Sequence, residues 1–167
     1  MQLNLLSILV ANHFGVLMRV TTIFSRRAFN IKSLTVAETE NPEVSRITIL
    51  MEGDAAAAKQ VEKLLQKQED VIDAITLPVP EFISRELLII KVRNTGDLHQ
   101  RLLRALSHRR NLTILETKND YCTLEMTGEV EEVAEFVAKM QEYGIIEICR
   151  TGVAAISAGG QTVFDMK

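Results

Sequence analysis

Two prolines separated by one residue, Pro78-Val79-Pro80, constrain the fold more than any other feature of the chain. Proline fixes φ and has no backbone N–H, so neither a helix nor a central strand runs through such a site. The sequence is therefore read as two halves. Each half has the same rhythm. In the first, LNLLSILVA (3–11) is an apolar run of strand length, broken by Asn12 to Gly15. Val16, Leu17, Val20, Ile23 and Phe24 then recur at helical spacing. Strands follow at 30–38 and 44–52, joined by the turn Asn41-Pro42-Glu43. Asp54 is placed to cap a helix running to about Gln68, with Val61, Leu64 and Leu65 inward, and 70–77 closes the half as a strand. After the prolines the pattern predicts a strand at 85–93, a helix at 97–109, strands at 112–117 and 121–127, a helix at 129–142 and a strand at 145–150.

The order strand, helix, strand, strand, helix, strand, written twice, predicts an α+β protein of two ferredoxin-like βαββαβ domains. The expected bounds are 1–78 for the first domain, 79–84 for a linker, 85–158 for the second domain and 159–167 for a tail that frays. In the usual antiparallel order the first and third strands are central and one sheet face has no helices. In the first domain that face carries Ser7, Ser33, Thr35, Arg46 and Thr48 with Leu5, Leu9 and Leu50. Such a face is too apolar to stay wet and too polar for a sealed core, which suits packing against another subunit or the second domain.

Composition removes several function classes. A net charge of −3, a pI of about 5.7, 5% aromatic residues and no Trp argue against a general nucleic-acid binder. No export signal is recognised at the start, and no apolar run approaches the ~20 residues that cross a bilayer. Cys122 and Cys149 lack CxxC or Cys/His spacing, so a cytoplasmic protein with two reduced thiols is expected. The histidines, His13, His99 and His108, are far apart in sequence, and no metal site is expected. Arg101, Arg104 and His108 form a basic helix stripe, read as a solvated face. Glu129, Glu131, Glu132 and Glu135 compensate a helix dipole and imply no acid–base pair. No nucleophile, Walker or GxGxxG pattern is present, and no catalytic residue is assigned.

The stretch Asn12 to Asn30 remains. A glycine between strand and helix lets backbone approach a ligand, and the first-turn N–H groups favour a carboxylate. Asn30 offers a donor and an acceptor. Gly15 with Asn30 is thus a minimal clamp for the two charges of an α-amino acid. The same residues also read as plain structure, with Asn12 capping the helix, Gly15 turning the chain and Asn30 in a loop.

The run Asn12-x-x-Gly15-Val16-Leu17, then Phe24-Ser25-Arg26-Arg27 and Phe29-Asn30-Ile31-x-Ser33-Leu34-Thr35-Val36, resembles the N-terminal ACT domain of acetolactate synthase small subunits. The resemblance continues through Ser45-Arg46-Ile47-Thr48-Ile49 and Gly53-Asp54, and resumes at Arg85-Glu86-Leu87 and Arg150-Thr151-Gly152-Val153. It implies a non-catalytic regulatory subunit. Such a chain raises the activity of a catalytic large subunit and makes it sensitive to a branched-chain amino acid, usually valine, held between two ACT domains of a homodimer. The implied effector contacts are Asn12, Gly15, Val16, Leu17, Asn30 and Ile31. No cofactor is implied in this chain; thiamine diphosphate and Mg, with FAD as an option, are implied in the catalytic partner. The family commonly has glutamate where this chain has His13, and glycine where it has Ala28. A rival expectation is a free-standing ACT-type amino-acid sensor acting on another enzyme or a transcription factor.

Overall fold

The computed structural model describes residues 3–77, 82–95, 111–160 and, singly, 97, 100, 101, 104 and 162. It divides into two compact units, Met1–Ile83 with Val153–Lys167, and Ser84–Gly152. The expected helix over 97–109 and the expected linker residues 79–81 lie mostly or wholly outside the described residues; 82–84 begin a strand.

The first unit runs β1 (Leu3–Ala11), α1 (Val16–Arg26), β2 (Ile31–Glu38), β3 (Val44–Glu52), α2 (Ala55–Leu65) and β4 (Val71–Leu77). Its antiparallel sheet has the order β2-β3-β1-β4, so the first and third strands are central, as the pattern predicts. Strand alternation sends Leu6, Ile8, Val10, Ile47, Ile49 and Met51 to one face, where Val16, Val20 and Phe24 of α1 and Val61 and Leu65 of α2 meet them. Burying such a side chain fully stabilises by about 1.5–3 kcal/mol. Asp54 caps α2 as expected, its carboxylate accepting the Ala57 N–H at 2.7 Å.

One departure from alternation matters. The pairing of β2 with β3 slips between Ile31 and Ser33, so Ile31 stands opposite Met51 and packs on the helix-side core. Strict alternation would have put it beside Ser33 on the other face.

That other face is buried although neither α1 nor α2 packs on it: Leu5, Ser7, Leu9 and Thr48 are all under 5% exposed. Part of the cover comes from the end of the chain. A last strand, Ala154–Ser157, groups with the first unit, and the Arg46 guanidinium on this face donates to the Ala155 carbonyl at 3.4 Å. Val153, Ala155 and Ser157 are buried while Ala154 and Ile156 are exposed, the period-two signature of a strand with one covered face.

The two edges of this sheet are treated differently. Along β4, the Glu62 carboxylate accepts the Thr76 N–H at 2.8 Å, and Gln66 Nε2 donates to the Ala74 carbonyl at 2.8 Å. Side chains of α2 thus occupy main-chain groups that an edge strand otherwise offers to a neighbour. Strand β2, at the opposite edge, has β3 as its sheet partner and exposed side chains at Lys32, Val36, Ala37 and Glu38.

The second unit takes β5 (Phe82–Arg93) from Ser84 onward, β6 (Leu112–Thr117), β7 (Tyr121–Gly128) and β8 (Ile145–Arg150), in the order β6-β7-β5-β8. A helix, Val130–Met140, buries Val133, Phe136 and Met140 against Leu88, Ile90, Leu124 and Met126. It opens on a capping box in which Glu129 and Glu132 exchange hydrogen bonds with each other's backbone. Glu86, almost fully buried, receives a two-pronged bond from Arg150. Cys122 is buried and Cys149 exposed, both as free thiols.

Candidate functional site

The strand-to-helix junction is built from β1 outward. Where β1 ends, the Asn12 N–H donates to the Glu43 carbonyl at 2.7 Å. The Asn12 side chain does not cap α1. Its Nδ2 donates instead to the Pro42 carbonyl at 2.8 Å and to Glu38 Oε1 at 3.0 Å, lacing β1 to the hairpin between β2 and β3. The residue at the helix start is Gly15, in the left-handed region at φ 87°, with no side-chain cap. A Cβ there would lie 3.2 Å from Arg19 Nη1. The first turn of α1 carries no acidic residue, so its positive end is not offset locally. Asp70 stands beside it and is already engaged, through Oδ2 with Arg19 Nε at 2.5 Å and through Oδ1 with His13 Nε2 at 3.1 Å.

Of the apolar residues expected here, Val16 is 3% exposed and belongs to the core, which leaves its main chain for any ligand. Leu17 is 41% exposed, and the neighbouring Phe14 is completely exposed.

Asn30 follows the other end of α1. Its Nδ2 donates to Glu52 Oε2 at 3.1 Å, and Lys32 Nζ meets Glu52 Oε1 at 2.9 Å. These two contacts, Lys32 first and then Asn30, hold the Glu52 carboxyl below the usual carboxylate range. The backbone agrees, with the Glu52 N–H donating to the Asn30 carbonyl at 3.2 Å.

The six expected contacts therefore form two groups. Asn12, Gly15, Val16 and Leu17 lie where Ala11 of β1 faces Val44; Asn30 and Ile31 lie where Leu3 faces Glu52. Between the groups runs α1, eleven residues long, hence about 16 Å. A single amino acid carries its ammonium and carboxylate within about 4 Å of each other by bond geometry. One copy of the chain does not close the clamp expected from Gly15 and Asn30.

Glu38, Glu52 and Lys32 were not singled out from the sequence. Counting equal steps from the Asn41-Pro42-Glu43 turn does not find Glu52, because the slip between Ile31 and Ser33 is what brings it level with Asn30. Among the described residues no group of three His, Cys, Asp or Glu side chains could hold a metal, and no helix is long and apolar enough to cross a membrane.

Residues 6–73 match the model of the acetohydroxyacid synthase (AHAS) small-subunit-like ACT domain, which makes this an ACT-domain protein. Residues 85–159 match the model of the small subunit of acetolactate synthase. The chain is 38% identical to the acetolactate synthase small subunit of Haemophilus influenzae over 96% of its own length and 98% of the relative's. It is 35% identical to the acetolactate synthase isozyme 3 small subunit of Escherichia coli over 93% and 96%. The crystal structure of the small subunit from Thermotoga maritima superposes with a TM-score of 0.85 at 32% identity, over 96% of this chain and 100% of that one. The chain belongs to the acetolactate synthase small-subunit family.

Proposed function

We propose that this chain is the regulatory subunit of a cytoplasmic acetolactate synthase, raising the activity of a thiamine-diphosphate-dependent catalytic subunit and conferring feedback inhibition by a branched-chain amino acid, valine first among them. The effector is held between the first domains, 1–78, of two copies. Its carboxylate meets the main chain at 15–17, its polar end meets Asn30, and its tail meets the apolar neighbours.

One observation carries this reading. The two halves of the clamp stand at opposite ends of β2, and β2 is the edge that α2 does not seal. Two copies related by a two-fold axis pair such edges antiparallel, about 4.8 Å apart. The start of one β2, next to Asn30, then faces the end of the other, where Glu38 holds Asn12. Each half-site meets its complement from the second copy. The half-sites are too far apart within one chain, and this symmetry unites them.

Mixed dimers test it. Chains with Gly15→Asp and chains with Asn30→Ala should each fail to bind valine as homodimers. Co-refolded, they should regain one site per mixed dimer, because one of the two sites at the interface then carries both native halves. Calorimetry showing no recovered binding in a verified mixed dimer refutes the shared site. Reconstitution with the catalytic subunit of the same source, titrated with valine, leucine and isoleucine, tests the regulatory role. A catalytic subunit that neither binds the chain nor changes its activity would refute it.

A further inference from the structure

We propose that Glu52 and Glu38 are positioning residues that turn the Asn30 and Asn12 amides so that both present oxygen to the effector, making the site a reader of the ammonium group. The proposal rests on the effector reading above and names what the site selects for.

An asparagine amide has two faces of opposite chemistry, the Nδ2 donor and the Oδ1 acceptor, and which one reaches a ligand depends on what holds the other. For Asn30 the holder is Glu52, 3.1 Å from Nδ2. Lys32 on its other oxygen helps keep Glu52 ionised, and an ionised carboxylate only accepts. The atom facing Glu52 is therefore the amino group, and Oδ1 is directed elsewhere. For Asn12 the argument does not depend on ionisation at all. Its Nδ2 lies 2.8 Å from the Pro42 carbonyl, which has no proton to give, and 3.0 Å from Glu38 Oε1. Neither amide can turn over without setting an oxygen against an oxygen, which leaves a carbonyl or a carboxylate without its donor.

Both side chains thus meet the ligand as acceptors, while the start of α1 supplies donors from its first-turn main chain. The complementary ligand carries an anion at one end and several N–H donors at the other. A primary ammonium gives three protons and a charge. A hydroxyl gives one proton, and a keto oxygen gives none and would face Asn30 Oδ1 with a lone pair. A site whose polar groups are paired by the right ligand rejects analogues that leave them unpaired, by about a hundred-fold or more. The sensor would then respond to the amino acid and ignore the 2-oxo acid of the same carbon skeleton, so it would report on the product of an amino-transfer reaction and not on its acceptor.

The experiment is calorimetry on the intact chain with valine, its 2-hydroxy analogue and its 2-oxo analogue. Wild type should bind them in that order, with at least about a hundred-fold between the first and the last. Glu52→Gln supplies an amide that can donate to Asn30 and so frees it to turn. Valine affinity should fall about tenfold while the oxo acid holds or gains, shrinking the preference by at least the same factor. Lys32→Met removes a neighbouring charge but leaves Glu52 on Asn30, and should preserve the preference. Backbone amide NMR spectra that show the same fold in the three proteins at the assay temperature show that the change is one of recognition. A Glu52→Gln variant with the full wild-type preference overturns the proposal. Wild type binding valine and the oxo acid equally also overturns it while leaving the effector site standing, since Gly15→Asp would still abolish both. Binding of none of the three removes the effector reading and this proposal together.

Discussion

Replacing Ala28 by glycine should stabilise the first unit. Helix α1 ends in a Schellman motif: the Ala28 N–H donates to the Ser25 carbonyl at 3.1 Å and the Phe29 N–H to the Phe24 carbonyl at 3.0 Å. Phe24 and Phe29 close the motif in the core. The geometry requires a left-handed residue at position 28, and alanine occupies it at φ 55°. A Cβ in that region costs about 1–2 kcal/mol. Glycine removes the cost but brings back about 0.4–1 kcal/mol of chain entropy in the unfolded state. The expected net gain is about 0.5–1 kcal/mol, because the two cancel only in part. With a urea slope of roughly 2 kcal/mol/M, the midpoint should rise by about 0.3–0.5 M. Circular dichroism is the assay, since both tyrosines, Tyr121 and Tyr143, lie in the second unit and their fluorescence reports on that unit. If the units melt separately, the gain should appear in the dichroism transition and be absent from the fluorescence one. A midpoint that fails to rise, with the slope unchanged, refutes the strain argument. So does an Ala28→Val variant no less stable than wild type.

Other expectations follow from the same contacts. Gly15→Ala should weaken valine binding less than Gly15→Asp but still lower the urea midpoint, since any Cβ is strained at φ 87° and crowds Arg19; equal midpoints would count against the left-handed start of α1. Glu52 has a folded pKa below its unfolded one, so its contribution to stability is complete above the unfolded value of about 4.3 and is lost as pH falls through the lower folded value. Carboxyl NMR should place the Glu52 midpoint below that of a free glutamate, and Lys32→Met should raise it; an unmoved midpoint removes Lys32 as the chief cause. Deleting 153–167 should remove the buried Val153 and Ala155 and the acceptor of Arg46, and so destabilise the first unit, by about 1.5–3 kcal/mol for the loss of a buried valine, read as a lower urea midpoint. Truncation after residue 80 removes the same strand, so a loss of effector binding in that fragment would not by itself implicate the second unit.

Much of the fold was legible because it rests on local periodicity. The stripe Val16, Val20, Phe24 and the alternation Ile47, Ile49, Met51 are written within single elements, and the strand order follows from the βαββαβ rhythm. What escaped depends on residues distant in sequence. The slip between Ile31 and Ser33 is a property of two strands together, and a one-strand reading gives Ile31 the wrong face. Asn12 resembles a helix cap because asparagine is a common one, yet Pro42 and Glu38, thirty and twenty-six residues away, compete for its amide and hold it. The part of the cover that reaches Arg46 comes from Ala155, which follows the whole of the other unit in sequence. The residue types of the clamp were readable, whereas the distance between its halves needed the helix laid out in space.

That last strand also sets an order of events during synthesis. The first unit leaves the ribosome with one sheet face incompletely covered, and the 69 residues of Ser84–Gly152 must be made before the last strand exists. At about 5–20 residues per second this is an interval of roughly 3–14 s. Throughout it Arg46 lacks its Ala155 acceptor and the face lacks that part of its cover, so nascent chains are exposed to chaperones and to one another for that time. The unit translated first is therefore completed last, and a prematurely terminated chain lacks the strand that would finish it.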